Sequence, residues 1–191
     1  NINYLKKIFI LLILHTVASK VALSEEIPYL LSASGKGDLE TVQAIIESGG
    51  DPNTVDKDNV SALMYAARKN QFAIAKYLIS KGANINDAEE DGWTALMYAA
   101  KKNHIEVIKI LLANKADPKI TDPDGWSAYG LAATSGYHET IELLIKDGIN
   151  PNSRNASGTT ILMLACKSGS IPTIEILVKN GASPLLKDKF G

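Results

Sequence analysis

What the chain has little of narrows it first. A single cysteine, Cys166, excludes an internal disulfide framework and a site built from several thiolates. Three histidines, at 15, 104 and 138, are thin material for a metal centre or for acid–base catalysis. An excess of either charge is missing too. Twenty basic residues stand against 21 acidic ones, a net −1, so the molecule as a whole has no pull toward nucleic acid or an acidic surface. The longest apolar run, Ile8 to Leu14, holds seven residues. Spanning a bilayer takes about 20 predominantly apolar residues.

That short run has recognisable flanks. Lys6 and Lys7 precede it, and Ala18, Ser19, Ala22 and Ser24 follow. A basic n-region, an apolar h-region and a small-residue cleavage zone make the pattern of a secretory signal peptide. The expectation is a signal peptide over residues 1–24, cleaved somewhere in 18–24, with cuts after Ala18 and after Ser24 both fitting. The product would be exported, periplasmic or secreted, and would keep no stable membrane span. Cutting after Ser24 removes Lys6, Lys7 and Lys20 but no acid, which leaves a net charge of −4.

What is present in abundance is repetition. "DNVSALMYAA" at 58–67 returns as "DGWTALMYAA" at 91–100 and as "DGWSAYGLAA" at 124–133. Asn59, Gly92, Gly125, Gly158 and Gly191 hold one phase at an interval of 33 residues, without insertion or deletion. The frame gives repeats 26–58, 59–91, 92–124, 125–157 and 158–190, all within a domain spanning 25–191, with a further repeat beginning at 191.

Each repeat reads as two short helices and an extended turn. Ser61, Thr94, Ser127 and Thr160 are placed to cap the first helix, each cap contributing about 1 kcal/mol. Leu63, Ala66 and Ala67 recur as Leu96, Ala99 and Ala100, and such small side chains let a neighbouring helix approach closely. Gly37, Asn70, Asn103, Gly136 and Gly169 fit the left-handed position that ends this helix. The second helix repeats apolar residues at helical spacing, as in Ile105, Ile108, Leu111 and Leu112, or Phe72, Ala75, Leu78 and Ile79. It stops at Gly49, Gly82, Gly148 and Gly181, with Lys115 the exception. Pairs such as Asp117–Pro118 and Asn150–Pro151 then form turns. One repeat cannot bury its own apolar face, so the repeats must stack.

These residues resemble the ankyrin repeat, whose unit has 33 residues and a T-P-L-H-x-A core. The nearest match is "TALMYAA" at 94–100, and "KNHIEVIKILLANKADP" at 102–118 is similar to the family's second helix and turn. The resemblance covers 26–190. It implies an all-α repeat solenoid in which each repeat is a helix-turn-helix plus a β-hairpin-like loop. The sequence departs from the family's core: Ala62, Ala95 and Ile161 stand for its proline, and Met64, Met97, Gly130 and Met163 for its histidine.

Sites of chemistry are sparse. Cys166 shares its phase with Ala67, Ala100 and Ala133, so a small buried slot is expected. His104 has a structural reading, and His138 falls one position later on the second helix, on its apolar side; no carboxylate is tied to both. "DKDN" at 56–59 and "DPDG" at 122–125 look like calcium loops but lack the later bidentate glutamate. "NVS" at 59–61 and "NAS" at 155–157 match the glycosylation acceptor pattern, though asparagine at a hairpin tip has a geometric use of its own. No catalytic residue, cofactor or metal is expected.

Binding remains. The resemblance implies that partners dock on the concave face, lined by hairpin tips and the exposed side of the first helices. By phase the tips supply Asp58 and Val60; Glu90, Asp91 and Trp93; Pro123, Asp124 and Trp126; Ser157 and Thr159. The helix face supplies Tyr65, Arg68 and Lys69; Tyr98, Lys101 and Lys102; Leu131 and Thr134; Leu164 and Lys167. Tryptophan, tyrosine and arginine are enriched at binding hot spots. The candidate site is therefore Tyr65, Arg68, Lys69, Asp91, Trp93, Tyr98, Lys101, Lys102, Asp124, Trp126 and Leu131, in the middle three repeats. The expected molecule is a monomeric, non-enzymatic, exported protein that binds another protein and no nucleic acid. Two alternatives stay open. The repeats are the scaffold of a longer protein with a further domain after residue 191, since "DKFG" at 188–191 is in phase and the last repeat keeps Ile171, Ile174, Leu177 and Val178 in core phase. Otherwise the chain is a secreted effector acting on a host protein.

Overall fold

A computed structural model describes residues 28–189. The expected signal peptide and Gly191 lie outside the described residues. The described chain divides between Asn84 and Ile85 into two compact units. The first holds α1 (Tyr29–Lys36), α2 (Leu39–Glu47), α3 (Ala62–Arg68) and α4 (Phe72–Ser80). The second holds α5 (Ala95–Lys101), α6 (Ile105–Ala113), α7 (Ala128–Thr134), α8 (His138–Lys146), α9 (Ile161–Ser168) and α10 (Ile171–Lys179). The architecture is an all-α repeat solenoid, and no extended strand occurs among the described residues. Each hairpin is closed by one antiparallel bridge: Val55 with Ser61, Ala88 with Thr94, Thr121 with Ser127 and Arg154 with Thr160.

The first helices begin where the hydroxyl caps were expected. Ser61, Thr94, Ser127 and Thr160 accept from the backbone N–H three residues on, at 3.2, 3.3, 3.3 and 3.2 Å. In two repeats the methionine at that third position closes the cap from the other side. The Sδ of Met64 accepts from the Ser61 N–H, and that of Met163 from the Thr160 N–H. The helices end in left-handed residues, Asn70 at φ 58° and Asn103 at φ 56° among them. Lys115 also takes φ 67°, where the other repeats place glycine.

Helix pairs build each compact unit. In the first, α1 packs on α3, α2 on α4, and each first helix on its own second helix. In the second, α5, α7 and α9 pack in series, as do α6, α8 and α10. Ala95, Ala99 and Ala100, then Ala128, Ala132 and Ala133, are all fully buried, so the first helices meet through small side chains. The second helices supply the bulk of the core with Val107, Ile108 and Leu111, Ile141 and Leu144, and Leu177. Each such aliphatic side chain contributes about 1.5–3 kcal/mol by leaving water. Thr140, buried in a phase that also holds Thr41, Ile74, Val107 and Thr173, gives its hydroxyl hydrogen to Oδ1 of Asn103 at 2.7 Å.

Between repeats, the loops are tied by asparagine. Asn53 accepts from the Asn84 N–H at 2.7 Å and donates to the Gly82 carbonyl at 3.4 Å. Asn86 does the same with Asp117 and Lys115, and Asn152 with Ser183 and Gly181. The fourth position in this phase is Lys119, which cannot make the pair.

Several expectations fail in one direction. Cys166 is exposed, although Ala100 and Ala133 in its phase are fully buried. Their cover is the next first helix, and no described helix covers the outer side of α9. Ile171 and Val178, expected in core phase, are 61% and 51% exposed. Ile171 opens its helix at the position of Phe72 and His138, which also face solvent, so that phase is not a core phase. His138 accordingly does not lie on an apolar side. In the opposite direction, Leu131 and Leu164, expected outward, are buried, as are the tip residues Val60 and Thr159.

Candidate functional site

The hairpin tips are shaped by an acid or amide that recurs in phase. In the second compact unit Glu89, itself buried, accepts from the backbone N–H groups of Asp91 and Trp93, both at 3.1 Å. Asp122, also buried, accepts from the Trp126 N–H at 2.7 Å. Asn155 accepts from Ser157 and Thr159, both at 3.0 Å. In the two stretches that look like calcium loops, Asp56 and Asp122 thus turn an oxygen to the loop backbone, and Glu89 and Asp122 fix where the two tryptophans emerge. Among the described residues no group of three His, Cys, Asp or Glu could hold a metal ion.

Glycine sets how closely these tips approach one another. Gly92 and Gly125 have φ of 83° and 79°. A Cβ on Gly92 would come within 2.9 Å of Pro123 Cδ, and one on Gly125 would run into the backbone of Ala156.

Two indoles stand on these adjacent tips, both half-buried. The Trp93 and Tyr98 rings lie 5.2 Å apart at 51°, a tilted aromatic pair of the favourable kind. Trp126 lies over its own first helix. A Cβ on Gly130 would sit 3.4 Å from Trp126 Cε3, an ordinary contact distance. Trp93, Trp126, Lys101, Leu131 and Thr134 together line an open cleft of about 220 Å³. Leu131 is 6% exposed and forms part of the lining rather than an outward stripe, which corrects its expected role.

Lys101 ends α5 and Lys102 follows it; both are exposed, and neither pairs with a carboxylate among the described residues. Glu90, Asp91 and Asp124 are exposed at the tips. Tyr65, Arg68 and Lys69 belong to the first compact unit. Tyr65 is half-buried there, with its ring 5.1 Å from the Arg68 guanidinium and its hydroxyl donating to Asp56 Oδ2 at 2.9 Å. Burial, and then the hydrogen bond to Asp56, raises its pKa above the ordinary tyrosine value. Its ring also lies on Gly35 of α1, so it ties loop to helix. Lys69 is exposed beside it.

Of the candidate residues, the structure brings Trp93, Tyr98, Lys101, Trp126 and Leu131 into one neighbourhood. Sequence reasoning missed Glu89 and Asp122. The signal was there: Asp56, Glu89, Asp122 and Asn155 share a phase.

A family model described as ankyrin repeats (3 copies) matches residues 30–122 and 112–188. No curated protein matches the chain.

Proposed function

The chain belongs to the ankyrin-repeat family, a common protein–protein interaction module, and from that premise we propose that it is a non-enzymatic, exported protein that binds another protein through the concave face of its middle repeats. The observation that carries this reading is the cleft between Trp93 and Trp126. Indole rings supported by their own loops and flanked by a tyrosine are the residue types and the partial burial that hot spots favour. Fixed loop geometry supports it further, because Glu89 and Asp122 hold the backbone that carries the two rings, and a loop held in this way loses little freedom on binding.

Export rests on the basic, apolar and small-residue order of residues 6–24. Fractionation of the producing cell tests it, with the protein expected outside the cytoplasm. Binding is tested by crosslinking that fraction, identifying the captured protein, and measuring its affinity for Trp93→Ala and Trp126→Ala. Truncating a hot spot costs about 2 kcal/mol or more, roughly 30-fold in affinity. Unchanged affinity with unchanged helical content contradicts the site.

A further inference from the structure

We propose that the Trp93–Trp126 cleft takes one bulky apolar side chain of an extended peptide segment that is charged oppositely on its two flanks, acidic toward Lys101 and Lys102 and basic toward the hairpin tips. This rests on the binding reading above and gives the partner's chemistry at the same site.

The size of the cleft selects the occupant. Its volume of about 220 Å³ is below the roughly 300–1,000 Å³ of sites that enclose small molecules. It suits a single side chain entering from an attached backbone. The two indoles and Leu131 make the lining mostly apolar, with Thr134 and Lys101 as its polar edge.

Charge then orients the segment. Lys101 and Lys102 stand at the C-terminal end of α5, with no carboxylate paired to either among the described residues. Glu90, Asp91 and Asp124 stand at the tips, before the N-terminal ends of α5 and α7. The rise of α5 from Ala95 to Lys101 is about 9 Å, a distance that an extended chain covers in about three residues. A segment laid along the cleft therefore meets cations at one end and carboxylates at the other. An acid and a base about three residues apart, with the apolar anchor between them, satisfy both ends. A uniformly acidic strand or a phosphate backbone would face the tip carboxylates, and a uniformly basic one would face the lysines.

The test uses the full chain and fluorescently labelled nine-residue synthetic peptides. Each has a central leucine, two glutamates on one flank and two lysines on the other, and is made in both chain directions. The comparison peptides have a central alanine, or glutamate on both flanks, or lysine on both flanks. The expected result is that one polarised leucine peptide binds at least tenfold more tightly than every comparison peptide. That preference should shrink at 1 M salt, where the screening length is about 3 Å. In the Lys101→Glu/Lys102→Glu protein the preferred peptide becomes the one with lysine on both flanks. Equal binding of the alanine-centred peptide, or of either uniformly charged peptide, overturns the proposal. If no peptide binds while the captured protein still loses affinity on Trp126→Ala, this inference fails and the binding reading stands. If Trp126→Ala leaves the captured protein's affinity intact, the binding reading itself fails.

Discussion

Among the described residues, Lys119 marks the one inter-repeat loop junction in this phase that lacks an asparagine tie, and Lys119→Asn should restore it. At Asn86 the tie consists of two bonds, 2.8 Å from the Asp117 N–H to Oδ1 and 3.1 Å from Nδ2 to the Lys115 carbonyl. The corresponding groups at the Lys119 junction are the Asn150 N–H and the Gly148 carbonyl. Neither has a side-chain partner among the described residues. A net intramolecular hydrogen bond contributes about 0.5–1.5 kcal/mol, and fixing the asparagine side chain opposes this by up to about 1 kcal/mol. The gain should be about 1 kcal/mol. Lys119 gives up nothing in exchange, because its one bond runs from its backbone N–H to Asp117 Oδ1 at 2.9 Å and is kept. In repeat proteins such neighbour terms add to the whole, so thermal unfolding followed by helical signal should move up by about 2–4 °C. Amide exchange at Asn150 should slow in the same protein. The mirror substitution, Asn86→Ala, should cost about the same amount. If Lys119→Asn leaves both readouts unchanged and Asn86→Ala is also silent, the tie is decoration and the reasoning is wrong.

Four further substitutions test single features. Gly125→Ala should destabilise by about 3 kcal/mol, since it combines a left-handed backbone with a clash against Ala156. Gly158→Ala, whose nearest neighbour would be 3.4 Å away, should cost only about 1 kcal/mol in the same urea titration. Lys115→Gly should stabilise by about 0.5–1 kcal/mol by relieving φ 67°, read as a higher denaturation midpoint at unchanged slope. Tyr77→Phe removes a buried hydroxyl that has no hydrogen-bond partner among the described residues, so stability should hold or rise by about 1 kcal/mol; a loss would show that the hydroxyl is satisfied in solution.

The repeat frame, the hydroxyl caps and the left-handed helix ends were legible in the sequence because each depends on a few adjacent residues. Asn103 needs only to end its helix, and its φ of 56° follows from that. Exposure was legible only where a phase meets the same neighbours in every repeat. Cys166 shares a phase with Ala133, yet α9 lies over Ala133 and no described helix lies over Cys166. Leu131 and Tyr98 also share a phase. Tyr98 stays half-buried against Trp93, while Leu131 sinks into the lining beside Trp126. The cleft itself depends on side chains from two successive repeats, Trp93 and Lys101 with Trp126, Leu131 and Thr134, converging on one place, which periodicity does not encode. Tyr65, in the same phase again, is held by Asp56 and Arg68, so a shared position in the repeat does not confer a shared role.

The measurement that tests the binding site most directly is site-specific photocrosslinking. A benzoyl-phenylalanine placed at Thr134, on the edge of the cleft, is compared with one at Lys146, on the outer helix of the same repeat. The account predicts a partner adduct from position 134, none from 146, and loss of the adduct when Trp126→Ala is added. An adduct from 146 alone, or one from 134 that survives Trp126→Ala, would contradict it.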